Sequence, residues 1–340
     1  MEPPILLAAP NVSEGRDAET LAEIGRAFAG HDGAGSMVAG GQRQVGGGVV
    51  DVRLLDVHSD RDHHRSVFTL AGRSRELSDA LLRGGRTVVQ RVDVMARMGR
   101  EVGEAGQHPH VGALDVVPIV YLDLAARGAA AAAALVVADR IGEELQVPVF
   151  LYGELSPSER AGGRTRAEIR RGGIALLAQR IAADSQRAAR SSATAVLAGS
   201  VEPVRRDFGP AHLHPTAGAT LVAARPPLVA FNLQLAAPAT IADARTIASL
   251  VREGGPEGLP GLRAIGVALS GDVSQVSMNI ERPLEVSLAM VIDAVRRHAR
   301  VENAELVGLA PRAALDGFPE DLPIVGFDPA RHVIENAIGW

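Results

Sequence analysis

A histidine stiffened by a following proline is the residue whose type and setting best suit proton transfer in this chain. His108 is followed directly by Pro109, then by a small-residue turn and the apolar run 116–122. Proline fixes its own φ and disfavours helical backbone in the preceding residue. Histidine both accepts and gives up a proton near neutral pH. The segment therefore predicts an acid–base centre held on an extended loop before a buried strand.

Composition narrows the chemistry further. The 340 residues include no cysteine, which excludes thiol nucleophiles, thiolate zinc sites and iron–sulfur clusters. There is also no lysine, so all 35 Lys and Arg positions are arginine and Schiff-base chemistry is excluded. Anionic ligands must be held by arginine, histidine or backbone N–H groups, and arginine forks suit carboxylates. A net charge of −5 argues against nucleic acid as a partner.

The sequence predicts neither a signal peptide nor a membrane span. The first residues lack a basic region. The longest apolar run, 128–139, is too short to cross a bilayer and indicates a helix. We therefore expect a cytoplasmic protein without a membrane partner.

The loop 11–17 follows the first predicted strand and opens the first predicted helix. Such a junction presents backbone N–H groups and the positive helix end to an anion. In the simpler alternative, Ser13 or Asn11 only caps the helix.

A polar segment, residues 58–65, packs three histidines and two aspartates into eight positions. Together with His108 and His110 it could bind a metal. The alternatives are a solvated hairpin turn and a ligand contact made by Arg65.

A second loop, residues 207–218, is punctuated by glycine and proline and lies between the two halves of the chain. Ligands often bind at such junctions, but the pattern fits a linker equally well. Residues 275–279 alternate polar and apolar side chains, as a half-buried strand does.

The spacing of apolar residues predicts an α/β (α+β) fold. In the second half, strands at 227–235, 264–269, 274–280 and 304–309 and helices at 241–252 and 284–297 give the order β-α-β-β-α-β. The first half, 5–122, has the same order, with further elements after it: helices at 125–145 and 164–190 and a strand at 147–152. We therefore expect two subdomains, 1–226 and 227–312, each a sheet with helices on one face, and a C-terminal extension, 313–340. Flexible insertions are expected near 30–48 and 187–203.

Eight ordered segments at compatible spacing carry a family resemblance. They are residues 10–16, 64–69, 108–118, 151–154, 207–210, 230–233, 275–279 and 305–309. Together they resemble glutamate formimidoyltransferase, the formiminotransferase part of formiminotransferase-cyclodeaminase. One position departs from the family pattern, because His64 stands where the family usually has asparagine.

The resemblance implies two ferredoxin-like subdomains that bind folate between them, in a homodimer. It implies transfer of the formimino group of N-formimino-L-glutamate to N5 of tetrahydrofolate, a step of one-carbon metabolism and histidine catabolism, with tetrahydrofolate as co-substrate and no metal. His108 is the implied catalytic histidine. The implied folate-binding segment is Gly209, Pro210, Ala211, His212, Leu213, His214, Pro215, Thr216, Ala217 and Gly218.

Both substrates carry carboxylates, which the family would neutralise with arginine. Arg16, Arg65 and Arg225 are the candidates, and Asn11 is a further candidate for substrate binding. The alternatives are a folate-binding paralogue that lacks this activity or acts on another one-carbon adduct, and a metal-dependent hydrolase that uses the histidines of segment 58–64.

Overall fold

The computed structural model describes residues 3–30, 52–97, 109–156, 163–189 and 201–339. His108 lies outside these residues, and so does most of the two predicted insertions. The chain divides into two compact units, Met1–Arg225 and Pro226–Trp340. Among the helices of the described ranges, none is long and apolar enough to cross a membrane.

The first unit is built on a mixed sheet. Its strands are β1 (Leu6–Ala8), β2 (Asn11–Val12), β3 (Arg53–Asp60), β4 (Arg65–Gly72), β5 (Leu114–Val120), β6 (Val149–Leu151) and β7 (Thr220–Arg225). Its helices are α1 (Ala18–Ala29), α2 (Ser74–Arg91), α3 (Arg127–Glu144), α4 (Arg166–Arg170) and α5 (Gly173–Ala189). Both β1 and β2 lie between β4 and β5, with β3 outside β4, and β7 and then β6 beyond β5. From β1 to β5 the elements follow the predicted β-α-β-β-α-β order, except that two strands, β1 and β2, stand where one was predicted.

Residues at the two ends of helix α1 determine where it begins and ends. The Asp17 carboxylate accepts hydrogen bonds from the backbone N–H groups of Glu19 and Thr20, which starts the helix. Gly30 ends it with a φ of 79°, a left-handed conformation that glycine adopts without steric cost. Phe28 is fully buried against Phe68 of β4, with 5.2 Å between the ring centroids. The predicted helix is therefore confirmed, and its apolar face packs on the sheet.

Two regions of the first unit differ from the sequence prediction. Strand β7, which the apolar spacing does not predict, runs parallel to β5, with Val117 opposite Val222. The single helix predicted over 164–190 is wrong, because the chain breaks into α4 and α5 at Gly172 and Gly173. Their φ values of 75° and 70° are incompatible with a continuous right-handed helix.

The hairpin of β3 and β4 also differs from its prediction. The turn expected over 58–65 is too long, because β3 continues to Asp60 and β4 begins at Arg65. His58 is consequently a strand residue opposite Val67, and Asp60 pairs with Arg65. Only residues 61–64 form the turn.

The second unit has an antiparallel sheet of β8 (Val229–Leu235), β9 (Leu262–Leu269), β10 (Val273–Ile280) and β11 (Val301–Val307), in the order β11-β8-β10-β9. Its helices are α6 (Ile241–Val251), α7 (Leu288–Arg296), α8 (Pro329–His332) and α9 (Ile334–Ile338). The predicted β-α-β-β-α-β order is confirmed here too. Alternate residues such as Phe231 and Met278 enter the core, whereas Asn232 and Ser277 lie on the other sheet face.

Close backbone approach makes one glycine of the first unit irreplaceable. A Cβ atom on Gly112 would lie 1.8 Å from the carbonyl oxygen of Ala219, so the two segments would have to separate. Gly128 in α3 has no atom within 4 Å of an added Cβ.

We predict opposite effects for alanine at these two glycines. Gly112→Ala should destabilise the protein by at least about 1–3 kcal/mol through overpacking against backbone. Gly128→Ala should stabilise it by about 0.5–1 kcal/mol, because alanine is the better helix former. Urea denaturation measures both. Equal stability of the two variants would contradict the close approach at Gly112.

Candidate active site

The loop that follows β2 is fastened to the chain leading into β5. Ser13 donates from its backbone N–H to the carbonyl of Ala113 at 2.8 Å and from its hydroxyl to that of Gly112 at 2.7 Å. Asn11 pairs with Val116 in the sheet. The prediction that Ser13 or Asn11 caps α1 is wrong, because Asp17 is the cap. The loop instead lies beside residues 111–113, which continue the His108 segment.

The backbone N–H groups of this loop bind an anion that the protein itself provides. One carboxylate oxygen of Glu14 accepts hydrogen bonds from the N–H groups of Gly15, Arg16 and Asp17 at 3.0, 2.8 and 3.1 Å. Glu14 therefore occupies the N–H groups that the sequence analysis offered to a ligand anion. Glu14 is 6% exposed, and its carboxylate completes the loop.

Arg97 and His64 hold Glu14 from its other side. An Arg97 guanidinium nitrogen donates to the second carboxylate oxygen at 2.6 Å, and another donates to the carbonyl of Ser13 at 2.7 Å. Burial raises the pKa of Glu14, but the backbone N–H groups, the Arg97 guanidinium and His64 outweigh it and lower the pKa. The Glu14 carboxylate is therefore ionised at neutral pH.

His64 has an unusual backbone conformation and a lowered pKa. Its φ of 50° lies in the left-handed region, where asparagine is among the favoured non-glycine residues. This preference agrees with the asparagine that the family resemblance implies at this position. The N–H of Gly15, which also donates to Glu14, lies 3.1 Å from Nδ1 of His64. Burial and the charge of Arg97 lower the pKa of His64 to about 4.

A buried carboxylate on β5 joins several elements of the first unit. Asp115 is fully buried, and one of its oxygens binds an Arg65 guanidinium nitrogen at 2.7 Å and a nitrogen of Arg170 on α4. Its other oxygen accepts from the N–H of Val111 at 2.8 Å. Arg65 also donates two hydrogen bonds to the Asn11 side-chain oxygen, at 3.0 and 2.7 Å. Two predicted site residues, Asn11 and Arg65, are thus brought into direct contact.

The charges in this network are strongly coupled. Burial raises the pKa of Asp115, but the guanidiniums of Arg170 and Arg65 more than offset this and hold the pKa well below its usual range. Burial lowers the pKa of Arg65 to about 10. The positive charges of Arg170 and Arg166 also lower this pKa, whereas the negative charge of Asp115 raises it. Asp115 is therefore ionised at neutral pH, and its carboxylate is shared by two guanidinium groups.

The predicted folate loop, residues 209–218, is an integral segment of the first unit. Its position between the two halves, expected from the sequence, is wrong because β7 follows it within that unit. Its end pairs with the lead-in to β5, since Ala113 N–H donates to Ala217 and Ala219 N–H donates to Val111, both at 2.9 Å. Gly218 has a φ of 70° and forms a bridge with Gly112. The loop and the chain that follows His108 are therefore neighbours.

The remaining predicted arginines lie in different places. Arg16 donates from Nε to the carbonyl of Arg61 at 2.9 Å, and its charge acts on His64. Arg225 ends β7, where its carbonyl accepts from the N–H of Tyr121 at 3.2 Å. Within the described ranges, the ion pairs of Asp115 are made with other arginines and not with Arg225.

The histidines of segment 58–64 have protein partners. His63 contacts the Asp60 carboxylate through Nδ1 at 2.7 Å, and His64 faces Glu14 at 3.4 Å. His110 is close enough to His64 to affect its pKa. In the described stretches of the chain, no group of three or more histidine and acidic side chains is arranged to hold a metal.

The partners that complete both charge networks were not predicted from the sequence. Arg97 follows α2 in a short turn with no recognisable pattern, and Arg170 lies in a segment whose spacing indicates only an arginine-rich helix. Asp115 does carry a signal, because it is a carboxylate within an apolar strand, and buried carboxylates are almost always paired.

Comparison with known proteins identifies the family of this chain. The family model "Formiminotransferase domain, N-terminal subdomain" matches residues 5–225. The chain is 32% identical over 292 residues to the glutamate formimidoyltransferase of Streptococcus pyogenes serotype M1, which covers 84% of this chain and 88% of the relative. The chain belongs to the formiminotransferase family. The resemblance inferred from eight segments is thereby confirmed.

Two further relatives differ in how much of their length is matched. The glutamate formimidoyltransferase of Thermoplasma acidophilum is 29% identical over 326 residues, 94% of this chain and 92% of the relative. The formimidoyltransferase-cyclodeaminase of Sus scrofa is 32% identical over 317 residues, 90% of this chain but 50% of the relative. The similarity therefore extends into the second unit, beyond the residues that the family model matches.

We predict that neutralising Asp115 destabilises this formiminotransferase-family protein strongly. Asp115→Asn leaves Arg65 and Arg170 facing each other without their shared carboxylate, and breaking such a buried pair costs about 3–5 kcal/mol. Urea denaturation measures the loss. Asp321→Asn, which removes an exposed partner of Arg296, is the control and should leave the Tm unchanged. Similar stability of the two variants would contradict the network.

We also predict that His64 makes stability sensitive to acid. Its pKa is about 4 in the folded protein and near 6.5 when unfolded, so between these values the unfolded chain binds more protons and acidification destabilises the fold. Between pH 6.5 and 4.5, unfolding of His64→Asn should take up fewer protons than unfolding of the wild-type protein, by up to one proton. The contribution of His214 to the pH dependence should remain, because burial lowers its pKa too. An unchanged slope in His64→Asn would refute the assignment.

Proposed function

We propose that this chain is a glutamate formimidoyltransferase that moves the formimino group of N-formimino-L-glutamate to N5 of tetrahydrofolate. Membership of the formiminotransferase family carries the proposal, together with relatives of nearly the same length that bear this name. The geometry of the first unit supports it. The loop after β2, residues 209–218 and the Asp115 network all meet the chain at residues 111–115, which directly follow the His108 segment.

His108 is the proposed acid–base residue. N5 of tetrahydrofolate attacks the amidine-like formimino carbon, which forms an N5–C bond and a tetrahedral intermediate. The imidazole removes the proton from N5 and then donates it to the glutamate nitrogen as the C–N bond breaks. The products are 5-formiminotetrahydrofolate and glutamate, and one histidine serves both proton transfers.

The remaining predicted residues are proposed to bind substrate. Residues 209–218 contact the folate, and their exposed positions Ala211, His212 and Pro215 are available to a ligand. Asn11 and Arg65 act as one unit because they are hydrogen-bonded to each other. Arg16 and Arg225 stay candidates for carboxylate binding. A homodimer and a cytoplasmic location also stay predictions.

The test is tetrahydrofolate-dependent release of glutamate from formiminoglutamate. We expect turnover by the wild-type protein and a decrease in kcat of about 10²–10⁴-fold in His108→Ala. His298→Ala is the matched control, because His298 pairs with Glu257 in the second unit and should keep wild-type activity. Wild-type turnover in His108→Ala would overturn the acid–base role.

One alternative rests on His64, which replaces the family's asparagine in contact with Gly15 and Glu14. A folate-binding paralogue would bind tetrahydrofolate without turning over formiminoglutamate. Parallel assays with formiminoglutamate and 5-formyltetrahydrofolate distinguish it from a transferase that uses another one-carbon donor.

A further inference from the structure

The positive charge around Asp115 exceeds what that carboxylate neutralises. Asp115 is the one carboxylate with which Arg170 pairs among the described residues, and it shares Asp115 with Arg65. Arg166, one turn before Arg170 on α4, pairs with no carboxylate within those same ranges. Its charge nevertheless reaches the network, since it contributes to the lowered pKa of Arg65. The cluster therefore carries more positive charge than its one carboxylate neutralises.

Two buried hydrogen-bonding groups in this region have no partner. Nε of Arg170 is buried and lacks an acceptor among the described residues, and the hydroxyl of Tyr152 is buried without any hydrogen-bond partner there. A buried donor left unpaired costs about 1–3 kcal/mol, and more when it is charged. Each such group in a native structure calls for an explanation, and a bound ligand that supplies the missing acceptor is one.

The unpaired groups belong to one small region of the first unit. Arg166 lies over the Tyr152 ring, with its guanidinium carbon 5.8 Å from the centroid. Tyr152 packs in the same apolar cluster as Ile169, which lies between the two arginines on α4. Residues four apart on a helix share a face, so Arg166 and Arg170 approach this region together.

We propose that Arg166, Arg170 and the Tyr152 hydroxyl form a subsite that binds a substrate carboxylate. Guanidinium groups match the planar geometry of a carboxylate, which accepts several hydrogen bonds at once. The phenolic O–H donates one more. Resting on the proposed function, this assigns the subsite to a glutamyl carboxylate. Both substrates carry one, namely the formimino donor and the glutamyl tail of the folate.

Arg170 has a structural role through Asp115, so Tyr152→Phe and Arg166→Gln are the decisive variants. Neither removes a hydrogen bond or ion pair with a described residue, so neither should lower the Tm. We expect each to raise the KM of one substrate by about 10- to 100-fold, the range for a lost hydrogen bond to a charged group, without a matching fall in kcat. Arg171→Gln is the control, because Arg171 is 66% exposed.

Direct binding separates the subsite from the proposed reaction. Calorimetric titration of the full chain with glutarate, with tetrahydrofolate and with a tetrahydropterin lacking the glutamyl tail requires no turnover. Weakened glutarate binding in Tyr152→Phe and Arg166→Gln assigns the subsite to the formimino donor. A loss confined to tetrahydrofolate, with unchanged binding of the tail-less pterin, assigns it to the folate tail. Wild-type affinities and KM values in both variants would overturn the subsite, whereas carboxylate binding without turnover would refute only the proposed reaction.

Discussion

The buried carboxylate of Asp115 is the interaction on which the first unit's site depends. It binds Arg65 of β4 and Arg170 of α4, and it accepts from the N–H of Val111. Arg65 extends the connection to Asn11 of β2. Because charges in a low-dielectric interior interact strongly and cannot be left unpaired, these elements hold one relative position. The backbone that follows His108 is therefore located by electrostatics as well as by sheet hydrogen bonds.

Glu14 has a comparable role in the loop between β2 and α1. Its carboxylate occupies the N–H groups of residues 15–17, which would otherwise be the natural anion site before α1. The loop consequently has its shape before any substrate arrives. With these N–H groups occupied, the 35 arginines of a chain without lysine are the main cations that could meet a further carboxylate. Arg97 donates a hydrogen bond to the Glu14 carboxylate, and the neutral His64 is its other neighbour.

Local pattern was enough to find most of the fold. The apolar spacing of α1 and the alternation along β8 and β10 each follow from burying one face of an amphipathic element. The same reasoning failed at Gly172 and Gly173, whose left-handed φ values divide a predicted helix. It also missed β7, which is buried on both faces and so shows no alternation.

By itself, the sequence determined the chemical inventory and the order of elements. It placed a proline-held histidine before a buried strand, left arginine as the sole long-chain cation and, through eight spaced segments, indicated the family. Only the tertiary structure decided which charges meet. Arg65 and Arg170 reach Asp115 from 50 and 55 residues away along the chain, and Arg97 reaches Glu14 from 83. Such partners are set by strand register and by the packing of α4 on the sheet, and no local periodicity encodes a contact between residues so far apart.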